Sequence, residues 1–269
     1  MTDQTASPAP VSLKAVALPA EHGGWGLLAE PVLLGLLVAP SSAGLGVALA
    51  GLGAFLARQP FNLALADRRR GTRYPRTPVA ERLIFLYGGV AAVGLALAWA
   101  RGGPAWWLPL ALAAPLGVVQ LAYDADRRSR QLVPELLGGV ALGSLAAAEL
   151  VAAGWNAAPA LAVWAILAIK AVGVVLYVRT QLRHDRGLRP DRTAAVASAG
   201  LAVILSAALA RTGLVPWLAT AAFGLFLARA LHGLSRFHRP LRPQALGIRE
   251  MAFGFAFVLI VTLGYALGL

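Results

Sequence analysis

Cysteine is absent from the 269 residues. That excludes disulfides, thiolate nucleophiles and cysteine metal sites, and leaves the compartment open. Charge is scarce too. Asp, Glu, Lys and Arg make up 13% of the chain, about half the roughly 25% of a soluble domain. Acids are the scarcer sign, 12 against 24 Lys and Arg. The charges sit in blocks, and residues 83–100, 104–123, 193–210 and 251–269 hold none of either sign. Such tracts approach the roughly 20 residues a helix needs to cross about 30 Å of hydrocarbon. With 58% apolar residues and a mean hydropathy of +0.69, the composition points to an all-α polytopic membrane protein. The first twenty residues have a single base, Lys14. They lack the basic flank of a secretory leader and read as a short disordered tail preceding one transmembrane domain, 21–269.

Proline and glycine punctuation divides the domain into about nine helices. The spacing predicts them near 23–39, 43–64, 80–100, 104–123, 132–153, 157–180, 193–210, 213–232 and 247–268. Arginine then gives the orientation. The connections that follow even-numbered helices hold 20 Arg, whereas the opposite side holds Arg101 and Arg211. The positive-inside rule makes the basic side cytoplasmic. An odd helix count therefore places the N-terminus inside and the C-terminus outside. The same asymmetry accounts for the net charge of +12 through a basic face near anionic lipid, without nucleic acid as a partner.

Three cytoplasmic connections carry more polar sequence than a turn requires: residues 58–77, 123–135 and 177–193. Each mixes carboxylates with arginines where a helix emerges. Guanidinium forks suit phosphate oxygens, and carboxylates can hold Mg²⁺ against a diphosphate. Arg58, Arg73, Arg179 and Arg183 are the candidate phosphate-binding arginines. The competing reading is mutual neutralisation of Arg and Asp at the membrane surface.

Within the helices, Glu30 and Lys170 fall at comparable depth from the cytoplasmic side. Ionisable groups there cost at least about 2.5–3.5 kcal/mol and face a partner or a cavity. Two readings stand: a salt bridge between them, or Lys170 binding an anionic headgroup. Glu149 is expected to reach water at the outer end of its helix. His22 opens the first helix, where an imidazole can bind a headgroup, shuttle a proton or serve packing. Trp25, Trp106, Trp107, Trp155 and Trp217 lie near helix ends, as interfacial anchors do. His232 and His238 are too sparse for a metal site.

The nine-helix plan, with polar motifs after the second and sixth helices, resembles the UbiA superfamily of intramembrane prenyltransferases. In "FNLALADRRRGTRYP" Asn62 matches the Asn of that family's NDxxDxxxD motif, Leu63 replaces an Asp, and Asp67 is displaced by one position. Gln181 and Asp185 match its DxxxD motif with the first acid missing. Tyr123 and Arg127 in "YDADRRSRQLVPELLGG" are similar to its Y-x-x-x-K/R stretch. The resemblance implies a UbiA-like bundle that binds a prenyl diphosphate at a cytoplasm-facing cavity, with Asp67 and Asp185 as metal ligands if Mg²⁺ is used. Several carboxylates are needed to hold metal against a leaving diphosphate. Two survive, so binding by arginine is favoured over cleavage. A non-catalytic membrane protein or small transporter is the alternative, although no inverted repeat is evident. The entry "PAEHGGWGLLAEP", followed by the arginine-rich block, also resembles the YwiC-like family of bacterial membrane proteins. That resemblance implies a location in the bacterial inner membrane and no particular reaction.

Overall fold

The computed structural model describes residues 12–19, 22–126, 128, 130–235, 237 and 240–269. Its regular structure is helical: α1 Leu13–Ala17, α2 His22–Val38, α3 Ser42–Arg69, α4 Thr77–Arg101, α5 Leu108–Ala125, α6 Leu132–Ala152, α7 Ala157–Asp185, α8 Thr193–Arg211, α9 Trp217–Gly233 and α10 Pro243–Leu267. The short helix α1 falls in the segment expected as a tail. It is held against α3 and α4, because Gln59 donates to the Ala15 carbonyl (3.3 Å) and Tyr87 Oη to the Ala17 carbonyl (3.2 Å).

Helix ends follow the local chemistry. Ser41 caps α3 by accepting the Gly44 N–H at 2.9 Å, which satisfies an end donor of the helix. Pro78 and Pro243 sit in the first turns of α4 and α10, where a missing N–H costs nothing. Gly154 turns the chain between α6 and α7 at φ 94°, a conformation a side chain would resist.

Six helices, α4 to α8 and α10, are long and apolar enough to cross a membrane. Phe85, Trp99, Ile204 and Leu259 are exposed on the bundle, as side chains in contact with lipid tails would be. The architecture is consistent with a polytopic membrane protein.

Helices α2, α6, α7, α8, α9 and α10 pack in succession as a ring that α10 closes against α2. Helix α3 lies against α2 and α6, α4 packs along α3, and α5 along α6. The α3–α4 contact is built on small residues. A Cβ at Gly46 would stand 2.6 Å from the Ala98 nitrogen, and one at Gly53 2.6 Å from the Ala91 nitrogen. Close backbone approach of this kind is how helices associate in lipid.

Helices α3 and α7 extend past the ends expected at 64 and 180. With 28 and 29 residues at about 1.5 Å each, they outrun the hydrocarbon. Nothing stops them earlier: no Gly or Pro intervenes between Pro60 and Gly71 or between Gly173 and Gly187. The two polar motifs therefore lie largely on helix ends instead of in loops.

Candidate functional site

Asp67 lies on the last turns of α3 with its side chain 1% exposed. Oδ1 accepts from Arg76 Nη2 (2.7 Å), and Oδ2 accepts from Arg76 Nε (3.2 Å) and Thr77 Oγ1 (2.8 Å). The guanidinium beside it, with help from the Thr77 hydroxyl and against the penalty of burial, holds this carboxyl below its usual range. Arg76 in turn stacks on Tyr74 at 5.1 Å. About two and a half turns earlier on α3, Arg58 clamps Asp124 of α5 in a two-pronged pair, with Nη2–Oδ1 at 2.9 Å. Between these pairs opens a depression of about 370 Å³ lined by Asn62, Leu63, Ala66, Arg70, Arg76 and Asp124. Asn62, which lines it, has a buried side-chain oxygen without a hydrogen-bond partner among the described residues. Arg70 is exposed and has no carboxylate partner among the described residues. Arg73 pairs instead with Glu81, at 2.7 Å, beside a second depression lined by Asp67, Arg68 and Thr77.

The other sequence candidates are placed elsewhere. Arg179 bonds Glu135 (2.7 Å) and the Arg130 carbonyl (3.1 Å), tying α7 to the start of α6. Gln181 is buried and donates to Asp185 Oδ1 at 2.7 Å, while Asp185 Oδ2 accepts the Leu241 N–H at 3.3 Å. Arg183 lies in the last turn of α7. Tyr123 carries Arg128 on its ring face, 5.4 Å away. Arg127 and the His22 side chain fall outside the described residues.

Asp67 and Asp185 are not brought together. Helix α3 packs chiefly on α4, α6, α2 and α1, and α7 on α6, α8, α9 and α10. Among the described residues no three His, Asp or Glu side chains gather in a way that could hold a metal ion. Both oxygens of Asp67 are taken by Arg76 and Thr77, so Mg²⁺ would have to displace a guanidinium. The donor set fits arginine-based neutralisation better than metal.

A second charged cluster fills the interior of the ring. Glu30 of α2 and Lys170 of α7 form a buried ion pair, the first of the two readings from sequence. Lys170 Nζ lies 5.4 Å from the Phe226 ring centre and 5.6 Å from that of Phe257. Gly254 of α10 gives Glu30 its space, since a Cβ there would meet the carboxylate. Beside this pair, Arg229 of α9 and Glu250 of α10 form another. Arg249 Nη2 donates to Tyr177 Oη at 2.6 Å, and the Arg229 guanidinium stacks 4.0 Å from the Tyr177 ring centre.

Sequence reasoning missed Arg229, Arg249 and Glu250 by counting that stretch as a basic connection. The spacing Phe223, Phe226, Arg229, Gly233 was the available signal, because it continues one apolar helix face through the arginine. Glu149 corrects another expectation. It is 0% exposed, and its carboxyl group has no side-chain partner among the described residues. Helix α2 comes down on it at Gly35, where a Cβ would collide with the Glu149 side chain, and this contact seals it from water.

Residues 18–150, just under half of the chain, match the family model described as YwiC-like protein. This segment is YwiC-like. It contains the entry to α2, the Arg58–Arg76 block with its depression, and nearly all of α6. The charged partners Lys170, Arg229 and Glu250 come from helices that follow the YwiC-like segment. No curated protein and no solved structure matches the chain.

Proposed function

We propose that this YwiC-like protein binds the diphosphate headgroup of an isoprenoid lipid at the cytoplasmic end of α3, α4 and α5, in a UbiA-like bundle of the bacterial inner membrane. The bundle crosses the membrane nine times, with α2, α3 and α9 joining the six longest apolar helices. The arginine asymmetry puts the N-terminus in the cytoplasm. The reading rests on one observation. The depression beside Arg70 and Arg76 has a guanidinium that pairs with no carboxylate among the described residues, an amide at Asn62 whose N–H groups can donate to phosphate oxygens, and an apolar flank of Leu63 and Ala66. Guanidinium forks match phosphate oxygens, and the apolar flank offers the lipid chain a path toward the hydrocarbon.

Binding, not transfer, is the activity proposed. The acids that would gather metal for ionising a diphosphate are engaged by Arg76, Thr77, Gln181 and the Leu241 N–H.

Titration of farnesyl diphosphate into the purified protein in nanodiscs tests this, with Mg²⁺ and with EDTA. Binding should persist in EDTA. Arg70→Ala and Asn62→Leu should each weaken it about tenfold, the loss of one charge-assisted or buried hydrogen bond. Binding that requires Mg²⁺, or that ignores both substitutions, refutes the reading.

A further inference from the structure

The connection between α3 and α4 carries a hydroxyl that neither the bundle nor the diphosphate depression uses. Helix α3 outruns the hydrocarbon at this end, so the connection stands clear of the membrane. Residues 68–75 are all exposed, and Thr72 to Tyr74 have no regular secondary structure. Thr72 supplies the one aliphatic hydroxyl in this stretch. Its backbone is held, because its N–H donates to the Asp67 carbonyl at 3.3 Å and Gly71 turns the chain at φ 65°. Its Oγ1 donates to the Arg70 carbonyl only at 3.3 Å, longer than a usual O–H···O bond.

Hydroxyls beside the other arginines on this side are less available. Thr77 is buried and donates to Asp67 at 2.8 Å. Thr180 lies within α7 and donates to the Leu176 carbonyl at 2.8 Å. Ser235 donates to the His232 carbonyl (2.8 Å) and accepts the Phe237 N–H (3.2 Å). Thr193 stands beside a carboxylate, since Asp191 accepts its N–H at 2.8 Å.

The surroundings of Thr72 suit a phosphate. Arg68, Arg69 and Arg70 precede it, and Arg73 and Arg76 follow. Thr72 lines the second depression, about 370 Å³, together with Arg68, Arg73, Thr77 and Glu81. The side chains of Arg68 and Arg73 are largely exposed at its rim, 3.7 and 2.7 Å from Glu81. A phosphate attached to Thr72 lies in this open space without displacing any buried group. With more charge than a carboxylate and three acceptor oxygens, it draws both guanidinium groups from Glu81.

We propose that Thr72 is a phosphorylation site, modified by a protein kinase whose acidic groove takes the arginines before it. The donor is a nucleoside triphosphate. Oγ1 bonds to the γ-phosphorus, the bond from that phosphorus to the β–γ bridging oxygen breaks, and the nucleoside diphosphate leaves. The hydroxyl proton passes to the kinase. The phosphate then settles against Arg68 and Arg73 and ties the end of α3 to the start of α4. It also places a charge of about −1.5 to −2 near Arg70 and Arg76, which weakens their hold on a diphosphate. The inference rests on the cytoplasmic orientation proposed above, because the kinase and its triphosphate act on that side.

Orientation is tested first. The chain has no cysteine, so Thr72→Cys is a single reporter. A membrane-impermeant maleimide should label it in lysed cells and not in intact ones. Labelling in intact cells overturns the orientation and this site with it. The whole protein is then mapped by tandem mass spectrometry, both from native membranes with phosphatase inhibitors and in nanodiscs after MgATP and an arginine-directed serine/threonine kinase. Phosphate should lie on Thr72 in both, disappear in Thr72→Val and persist in Thr72→Ser. Phosphorylation should raise the midpoint of thermal unfolding by about 2–6 °C, and Arg73→Gln should remove most of that gain. Farnesyl diphosphate should bind the phosphorylated protein about threefold to tenfold more weakly at low salt. If the unmodified protein does not bind it at all, the diphosphate reading fails while the phosphorylation site stands on the mapping. An unmodified Thr72 in native membranes, phosphate confined to other residues, or a thermal gain indifferent to Arg73→Gln overturns the proposal.

Discussion

Replacing Lys170 with Met strips Glu30 of its ion-pair partner while keeping an unbranched side chain between Phe226 and Phe257. The Glu30 side chain is 9% exposed and is enclosed by Gly254 of α10, so little water can take the place of the lost ammonium. Breaking a buried pair on one side costs about 3–5 kcal/mol, because the remaining charge is left without compensation. At about 2–4 °C per kcal/mol for a chain near this size, the midpoint of thermal unfolding in detergent should fall by about 6–20 °C. Glu30→Gln should also destabilise, by leaving Lys170 unpaired apart from its two aromatic neighbours. The double variant Glu30→Gln with Lys170→Met removes both charges and should recover most of the loss, since a neutral replacement of a buried pair is often tolerated. Intrinsic tryptophan fluorescence during heating reads all four proteins of the cycle. The coupling should reach at least about 2 kcal/mol. Two harmless single variants, or a double variant as unstable as the sum of the singles, would show that the pair does not tie α2 to α7 across the ring.

Two further perturbations probe other parts of the bundle. Gly53→Val puts a branched side chain where even a Cβ would lie 2.6 Å from the Ala91 nitrogen. It should cost more than about 2 kcal/mol by forcing α3 and α4 apart, and a thermal shift no larger than that of an exposed Gly88→Val would refute the close-packing argument. The Asp67–Arg76 contact should make stability depend on acid. The folded carboxyl is held below its ordinary value, so the unfolded chain binds the proton more readily. The stabilisation is complete above the ordinary carboxylate range and disappears as pH falls through the depressed folded value. Asp67→Asn should be less stable than the parent at neutral pH and should lose that part of the acid dependence. Parallel pH profiles for the two proteins would contradict it.

Apolar runs and their breakers fixed most of the helix ends before any tertiary contact was considered. The connections at Gly102-Gly103-Pro104 and Gly213 to Pro216 fall between α4 and α5 and between α8 and α9, and Gly154 to Pro159 runs from the turn after α6 into the first turn of α7. This was legible because a helix in hydrocarbon is defined by its own residues: it must satisfy its own backbone and keep charge away from the tails. The pairing of Glu30 with Lys170 was partly legible for the same reason, since two opposite charges at one depth have few alternatives. The placement of Arg229, Arg249 and Glu250 inside the ring, the sealing of Glu149 under Gly35, and the separation of Asp67 from Asp185 were decided by tertiary structure. Hydropathy reports how far a residue lies along its helix, but not which neighbour its face meets. For a charged side chain that neighbour determines whether it is a surface arginine or part of a buried site.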